Sequence, residues 1–343
     1  MPVARLRRER VAPGLRAAGL GGMKREGPLV REARGLYRLV RLARMTSGLY
    51  RTGRILGRFD VVHANDLDTL PAAWLLARAS HARLVYDAHE LYTEQEPDPP
   101  RLHRAVARRL EGALARRADA VVTVSEPIAD ELQHRFRLPL PPFVVLNAPE
   151  RDETELPTRM DGPLRAIYQG AMGPGRPLED LLVAAEHAPE VRFTLRVAGA
   201  DREALRGAAA HLPNVEVVAP VPPTELVAAL RGFDVGLIIN RPVTRNDELV
   251  FPNKLFEYLM AGLAVAVPRL PGMTPLVEGE GVGFTYEPGV PERLGAVLTR
   301  LAEDRDSLGR AQARARTLAL ERLNWEQSAT ALAAAWDVER EPV

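Results

Sequence analysis

A chain of 343 residues exceeds one ordinary hydrophobic core, so two domains are expected. Its 46% hydrophobic and 27% charged content is that of a globular protein, and the lack of cysteine excludes disulfides and thiolate metal sites. The net charge of +1 hides an imbalance: residues 1–58 hold 15 Lys and Arg against Glu9, Glu26 and Glu32.

That basic segment comes first in the chain. Leu36, Leu39, Val40 and Ala43 recur in it at helical spacing and give it an apolar stripe. Such a charge excess draws an anionic partner. The stripe favours an anionic membrane surface over a nucleic acid, and a surface helix with a solvated basic face is the plainer alternative. No apolar run reaches the roughly 18 residues of a membrane span, and no signal-peptide core is found. A cytoplasmic protein is expected, peripheral at the inner face of the membrane, with no nucleic-acid partner.

Apolar runs then alternate with helical patterns. DVVHAND (60–66) reads as a short buried strand, followed by a helix from Leu70 to Ala79. RLVYDAHE (83–90) is a second strand with a polar end, and an Arg-rich helix spans about Leu102 to Arg117. ADAVVTVSE (118–126) is a third strand, and Ser125 caps a helix beginning PIADEL. FVVLNAPE (143–150) is a fourth. Residues 151–163 are polar, with two prolines and a glycine, and read as a linker. The pattern restarts with strands at LRAIYQGA (164–171), FTLRVAGA (193–200), VEVVAP (215–220), FDVGLIIN (233–240) and LAVAVP (263–268). Helices are expected from Leu178, from Pro223 through Leu230, over the stretch after Pro252, and from Arg305 past Trp325 and Trp336 almost to the end. Strands separated by helices imply parallel sheets with covered faces.

Ligands of such sheets bind beyond the carboxyl ends of the strands, so the polar residues there carry the candidate chemistry. In YQGAMGPGRPLEDLL, Gly170 ends a strand, two more glycines follow, and Arg176 precedes a helix. Glycines admit a ligand close to the backbone, and an Arg at a helix start grips phosphate oxygens. The plain alternative is a strand-to-helix turn with a surface Arg. In FPNKLFEYLMAG, Asn253 and Lys254 open a helix and Glu257 follows on its first turn. The cation and the free amides suit a phosphate. The acid suits the cis-diol of a ribose, or simply caps its own helix. In the N-terminal half, His63, Asn65, Asp66 and Asp68 follow one strand, and Asp87, His89 and Glu90 the next. A metal site on His63, Asp66 and His89 is the weaker reading, because no compact ligand spacing occurs. GxxxxGK[ST] and GxGxxG are both missing, which argues against a P-loop ATPase and a simple dehydrogenase.

Taken in order, DVVHANDLDTLPAA, LVYDAHELYTE, ADAVVTVSEPIADEL, YQGAMGPGRPLEDLL and FPNKLFEYLMAGLAVAV resemble the family 4 glycosyltransferases, over most of the chain from about Phe59 to Trp336. The resemblance implies the GT-B fold: two Rossmann-like, doubly wound parallel-sheet domains facing a cleft. Residues 1–150 would form the acceptor-side domain, with a final helix of about 325–343 packed back on it. Residues 163–324 would hold the nucleotide sugar. It also implies a retaining transfer without a required metal or cofactor, from a nucleotide-diphosphate sugar to a glycolipid or surface polysaccharide precursor. Carried over by position, Arg176 and Lys254 would grip the diphosphate, Glu257 would bond the ribose, and the backbone near Gly199 and Val221 would hold the base, with Gly170 and Asn253 in the same nucleotide-sugar site. His89 would touch the transferred sugar or the leaving diphosphate. Glu248, one place out of register with the family's Glu-x7-Glu spacing, would join it at the catalytic centre. His63, Asp66 and Asp68 would lie on the acceptor side. The opening residues MPVARLRRERVAPGLRAAGLGG offer no clear strand, so the N-terminal domain is read as shortened. That motivates a second reading, a catalytically impaired GT-B protein that binds a nucleotide sugar or a partner protein; a sugar-nucleotide epimerase of the same fold is a third, by fold analogy alone.

Overall fold

A computed structural model describes residues 27–157, 162–171, 177–199 and 202–337. The chain begins with α1 (Pro28–Leu56), β1 (Val61–Asn65), α2 (Asp66–Ser80), β2 (Arg83–Ala88), α3 (Arg101–Ala115), β3 (Ala120–Thr123), α4 (Glu126–Phe136) and β4 (Phe143–Val144). Next come β5 (Arg165–Ala171), α5 (Glu179–Glu186), β6 (Arg192–Ala198), α6 (Arg202–Ala209), β7 (Val215–Val218) and β8 (Val235–Leu237). The chain continues with α7 (Arg245–Leu249), α8 (Asn253–Met260), β9 (Ala264–Pro268), α9 (Met273–Gly279) and β10 (Gly283–Tyr286). It ends with α10 (Pro291–Glu303), α11 (Arg305–Glu321) and α12 (Trp325–Asp337).

These elements form two compact units. Among the described residues, the first unit holds residues 27–147, Val243–Val250 and residues 325–337, and the second holds Ala148–Pro242 and Phe251–Asn324 within the same limits. The short helix α7 and the terminal α12 therefore belong to the first unit although the chain reaches them late.

The first unit's described sheet is parallel, in the order β1-β2-β3-β4. An order without reversal places the connecting helices on one face when the crossovers are right-handed. Alternation along the strands separates the faces. Ala64, Leu84, Tyr86 and Val121 pack with Leu67 and Leu70 of α2, Leu114 of α3 and Ile128 and Leu132 of α4. Val85, Ala120 and Val122 point the other way, where Leu332 and Ala335 of α12 cover them. The Ser125 hydroxyl accepts from the Ile128 amide and caps α4, as its sequence reads. Of the expected strand 143–150 only Phe143 and Val144 pair, at the edge of the sheet, with Pro149 ahead of them in the chain.

The second unit's sheet is also parallel, with strands in the order β10-β9-β8-β5-β6-β7. The order reverses between β5 and β8, the point of a doubly wound sheet where ligands bind. A continuous core from Leu164 and Tyr168 through Leu181, Phe193 and Leu237 to Leu298 fills it. The glycine after α8, Gly262, takes φ +76 and stops that helix before β9.

Two helix expectations are corrected. Residues 223–230 form two separate 3-10 turns, Pro223–Glu225 and Ala228–Leu230, because a segment this short, opened by Pro222 and Pro223, does not sustain an α-helix. The last helix is broken after Glu321. Asn324, buried, turns its side-chain amide onto the Ala319 and Leu320 carbonyls at 3.0 and 2.9 Å and so caps α11 from beyond its end.

Candidate functional site

In the second unit, the last turn of β5 and the first turn of α8 meet at the switch point. Gly170 has φ +149, a conformation that L side chains rarely adopt. A Cβ there would lie 2.8 Å from the Lys254 ammonium nitrogen. A side chain here would push that cation from its place. The ammonium also stands 4.1 Å from the centre of the Tyr168 ring, a cation–π contact that holds it over the strand end. The choice of residue is informative: of 46 basic residues in the chain, only Lys24 and Lys254 are lysines. A compact point charge stands here where the rest of the protein uses the broader guanidinium.

One turn further on, Glu257 is half-buried. The Gln169 side-chain amide donates to its carboxylate, and Arg196 in turn donates to the Gln169 carbonyl at 3.2 Å. Burial raises the Glu257 pKa, opposed by the bond from Gln169 and the charge of Lys254. The buried Tyr258 hydroxyl accepts from the Gln169 backbone N–H at 3.0 Å, which ties α8 to β5. Sequence reading passed over Tyr168, Gln169 and Arg196. The signal was present in polar side chains inside the apolar patterns YQGA and FTLRVAGA.

The remaining expected residues of this unit are placed as follows. Asn253 is exposed at the start of α8. Gly199 follows β6 with φ +105, and among the described residues, its chain neighbours aside, no atom lies within 4 Å of where its Cβ would be. Val221 is half-buried in the loop after β7. Arg176 lies outside the described residues.

In the first unit, the polar residues after β1 and β2 form one network. Strand register sets Asn65 beside Asp87. Asp66 takes φ +56, rare for a residue with a side chain, and its carboxylate accepts from the His89 amide at 3.1 Å. The His89 ring lies between two carboxylates, with Nδ1 3.5 Å from Asp66 and Nε2 3.3 Å from Asp87. These two acids, Asp66 first, raise the His89 pKa to about 10. Burial would raise Asp87, but its bonds to His63 and His89 hold it at about 2. His89 is thus an imidazolium at neutral pH.

His63 completes the network. The Trp336 indole N–H donates to His63 Nδ1 at 3.0 Å, and an indole can only donate. Nε2 therefore carries the His63 proton and donates to Asp87 at 3.1 Å. Asp68 accepts from the Tyr92 hydroxyl at 2.8 Å. Glu248 sits on α7, paired with Arg245 at 2.7 Å. That helix is fastened to the His89 loop by Asn246, whose side-chain carbonyl accepts from the Leu91 amide at 2.9 Å. His63, Asp66, Asp68, His89 and Glu248 thus belong to one unit. Trp336 and Asn246, which hold this cluster, lie far from it in sequence and carried no local signal. Among the described residues, no three His, Asp or Glu converge as metal ligands.

Two family models match the chain. One described as Glycosyltransferase Family 4 matches residues 5–148, and one described as Glycosyl transferase-like matches residues 176–334. No curated protein matches the sequence. Solved structures with the same fold include a glycosyltransferase from Rickettsia africae, with TM-score 0.68 and 12% identity over 88% of this chain and 82% of that one. HepE from Anabaena, solved with UDP, has TM-score 0.64 and 16% identity over 85% and 80%. A TarM variant from S. aureus, solved with Fondaparinux, alpha-GlcNAc-glycerol and UDP, has TM-score 0.65 and 12% identity over 86% of this chain. The chain spans 54% and 59% of the two TarM structures. The two models, one along each half, and the two parallel-sheet units identify this chain as a GT-B protein of the glycosyltransferase family 4 type.

Proposed function

We propose that the protein transfers a sugar, with retention of configuration and without a metal or cofactor, from a nucleotide-diphosphate sugar to a glycolipid or other glycan acceptor. The observation that carries this reading is the Lys254 ammonium held over Gly170, with the half-buried Glu257 one turn along the same helix. A fixed cation at a helix start suits a leaving diphosphate, and its charge is most useful where negative charge develops in the transition state. Glu257, oriented by Gln169, offers two acceptor oxygens for a ribose diol. Arg176 would add a second cation to the diphosphate. On the acceptor side, the His89 imidazolium and Glu248 would face the transferred sugar. UDP is the first nucleotide to try, because HepE, TarM and a pneumococcal O-GlcNAc transferase were solved with it.

We further propose that the protein works at an anionic membrane surface through its basic N-terminal segment. On α1, Leu36, Tyr37 and Val40 are exposed, whereas Gly35, Leu42 and Gly53 face inward. Leu39 of the expected stripe is only half exposed. Part of the basic charge is already engaged, since Arg31 pairs with Asp98, and Arg34 and Arg38 pair with Glu96.

The test is a thermal-shift series with UDP, GDP and ADP, with and without EDTA, on wild type and Lys254→Ala. A ligand of the native state raises the melting temperature. One nucleotide should raise it regardless of EDTA, and Lys254→Ala should weaken that nucleotide by about tenfold or more. No shift with any nucleotide would remove the donor site. A shift with neither hydrolysis nor transfer of the matching sugar would leave a binding protein rather than an enzyme.

A further inference from the structure

The first unit carries a second concentration of cationic side chains that the transfer reading does not use. A concavity of about 730 Å³ runs along α3 and is lined by Arg101, Arg104, Arg108, Arg109, Arg116 and, from α4, Arg135. Ala105, Gly112 and Phe136 supply the rest of its lining. A Cβ on Gly112 would stand 2.7 Å from the Phe136 ring, so the helices pack closely here and the arginines rise around a recess.

The carboxylates nearby are already engaged. Glu94 takes Arg104 at 2.6 Å and Arg135 at 3.3 Å, while Glu131 holds Arg135 and also Arg245, at 3.3 Å. The one acid on α3, Glu111, is buried and accepts from the Tyr86 hydroxyl at 2.8 Å. Arg116 bonds only a carbonyl, that of Phe136, at 3.0 Å, and among the described residues no ion pair is formed by Arg108, Arg109 or Arg116. An ordinary solvated helix face spaces acids among its bases at three or four residues. This face does not. Arginine also cannot shed its proton to relieve crowding, so the repulsion left after Glu94 and Glu131 have paired with Arg104 and Arg135 favours an anion from outside.

Length gives the class of anion. Arg101 and Arg116 are separated by about 22 Å along the helix axis, with Arg104, Arg108 and Arg109 between them. One phosphate would occupy a small part of that row. Among the described residues the one ring that lines the recess, Phe136, is buried and offers no stacking surface, which disfavours single-stranded nucleic acid. We propose that this recess is a second anion site, which binds ligands presenting two or more phosphate groups in a row. The source is either a free polyphosphorylated molecule or the headgroups of an anionic lipid surface. The inference does not depend on the donor site.

The test uses the full chain carrying Lys254→Ala, so that the donor site does not report. Tripolyphosphate is titrated by calorimetry, and vesicles of phosphatidylcholine with and without phosphatidylglycerol are tested by flotation. Each is repeated with Arg108, Arg109 and Arg116 changed together to Gln and, as a charge-preserving control on folding, to Lys. Binding of tripolyphosphate that falls about tenfold or more in the Gln variant and is partly kept by Lys supports a site for a free ligand. Binding only to the anionic vesicles, lost in the same variant, supports a lipid-borne one. Binding of neither probe, or binding that the Gln variant leaves unchanged, overturns the proposal.

Discussion

Gly170 and Lys254 show how one residue can reserve space for another. The strand could continue through Gly170 with any small side chain if the backbone were extended, but its φ of +149 strains any Cβ, and a Cβ would also displace the nearby ammonium. Gly170→Ala is therefore expected to destabilise the fold by about 1–3 kcal/mol and to push the lysine off Tyr168. Nucleotide binding should fall further than stability alone explains. Calorimetric binding at a temperature where the variant is fully folded checks this, and undiminished affinity would show that the cation need not sit there. His89 offers a pH test. Its folded pKa of about 10 lies above the ordinary 6.5, so its contribution to stability is complete below 6.5. That contribution declines as pH climbs and is gone above about 10. Asp87, held at about 2, contributes above 3.8 and loses its share only as pH falls toward 2. Wild type should thus lose stability toward pH 10 faster than His89→Asn does. Parallel denaturation profiles for the two proteins would sink the imidazolium assignment.

At the scale of elements, the seating of α8 on the sheet decides where the cation and the acid stand. Tyr258 of that helix lies flat on Gly236 of β8, where a Cβ would fall 2.2 Å from the ring. Its hydroxyl reaches the Gln169 N–H and the Leu237 carbonyl, so one ring joins α8 to β5 and β8. Gly236→Ala overpacks this layer and is expected to cost about 3 kcal/mol, and to disturb Lys254 and Glu257 together. Urea denaturation with intact nucleotide binding in the surviving fold would count against that linkage. The same elements show what the sequence made legible. Strand and helix alternation could be read because each segment carries its own apolar period, and the glycine and lysine at strand ends could be read because their residue types are chemically specific. The contacts of Tyr168, Gln169 and Trp336 were not legible, because each depends on a partner far along the chain. The break at Asn324 was missed for a related reason: the helix pattern runs through it, and only a buried side-chain amide stops it.

At the scale of the whole molecule, each unit has its own core, but neither is a continuous piece of chain. The first unit takes Val243–Val250 and α12 from beyond the second. Leu249 is part of the core that α2, α3 and α4 build with the sheet, and the Ser125 hydroxyl meets its carbonyl at 3.4 Å. On the opposite face, Val85, Ala120 and Val122 depend on Leu332 and Ala335 for cover. A fragment of residues 27–150 therefore keeps all four described strands but bares one sheet face, and leaves the His89 loop without Asn246 and His63 without Trp336. An uncovered parallel sheet is not a stable arrangement, since such sheets are found with both faces buried. The fragment is expected to lack a cooperative melting transition and to bind a hydrophobic dye, whereas the full chain should do neither. Supplying a peptide of residues 325–337 in trans should reduce dye binding by covering Val85, Ala120 and Val122. If residues 27–150 instead melt cooperatively alone, α12 is dispensable for the first unit, and its hold on His63 through Trp336 becomes a contact that the fold does not require.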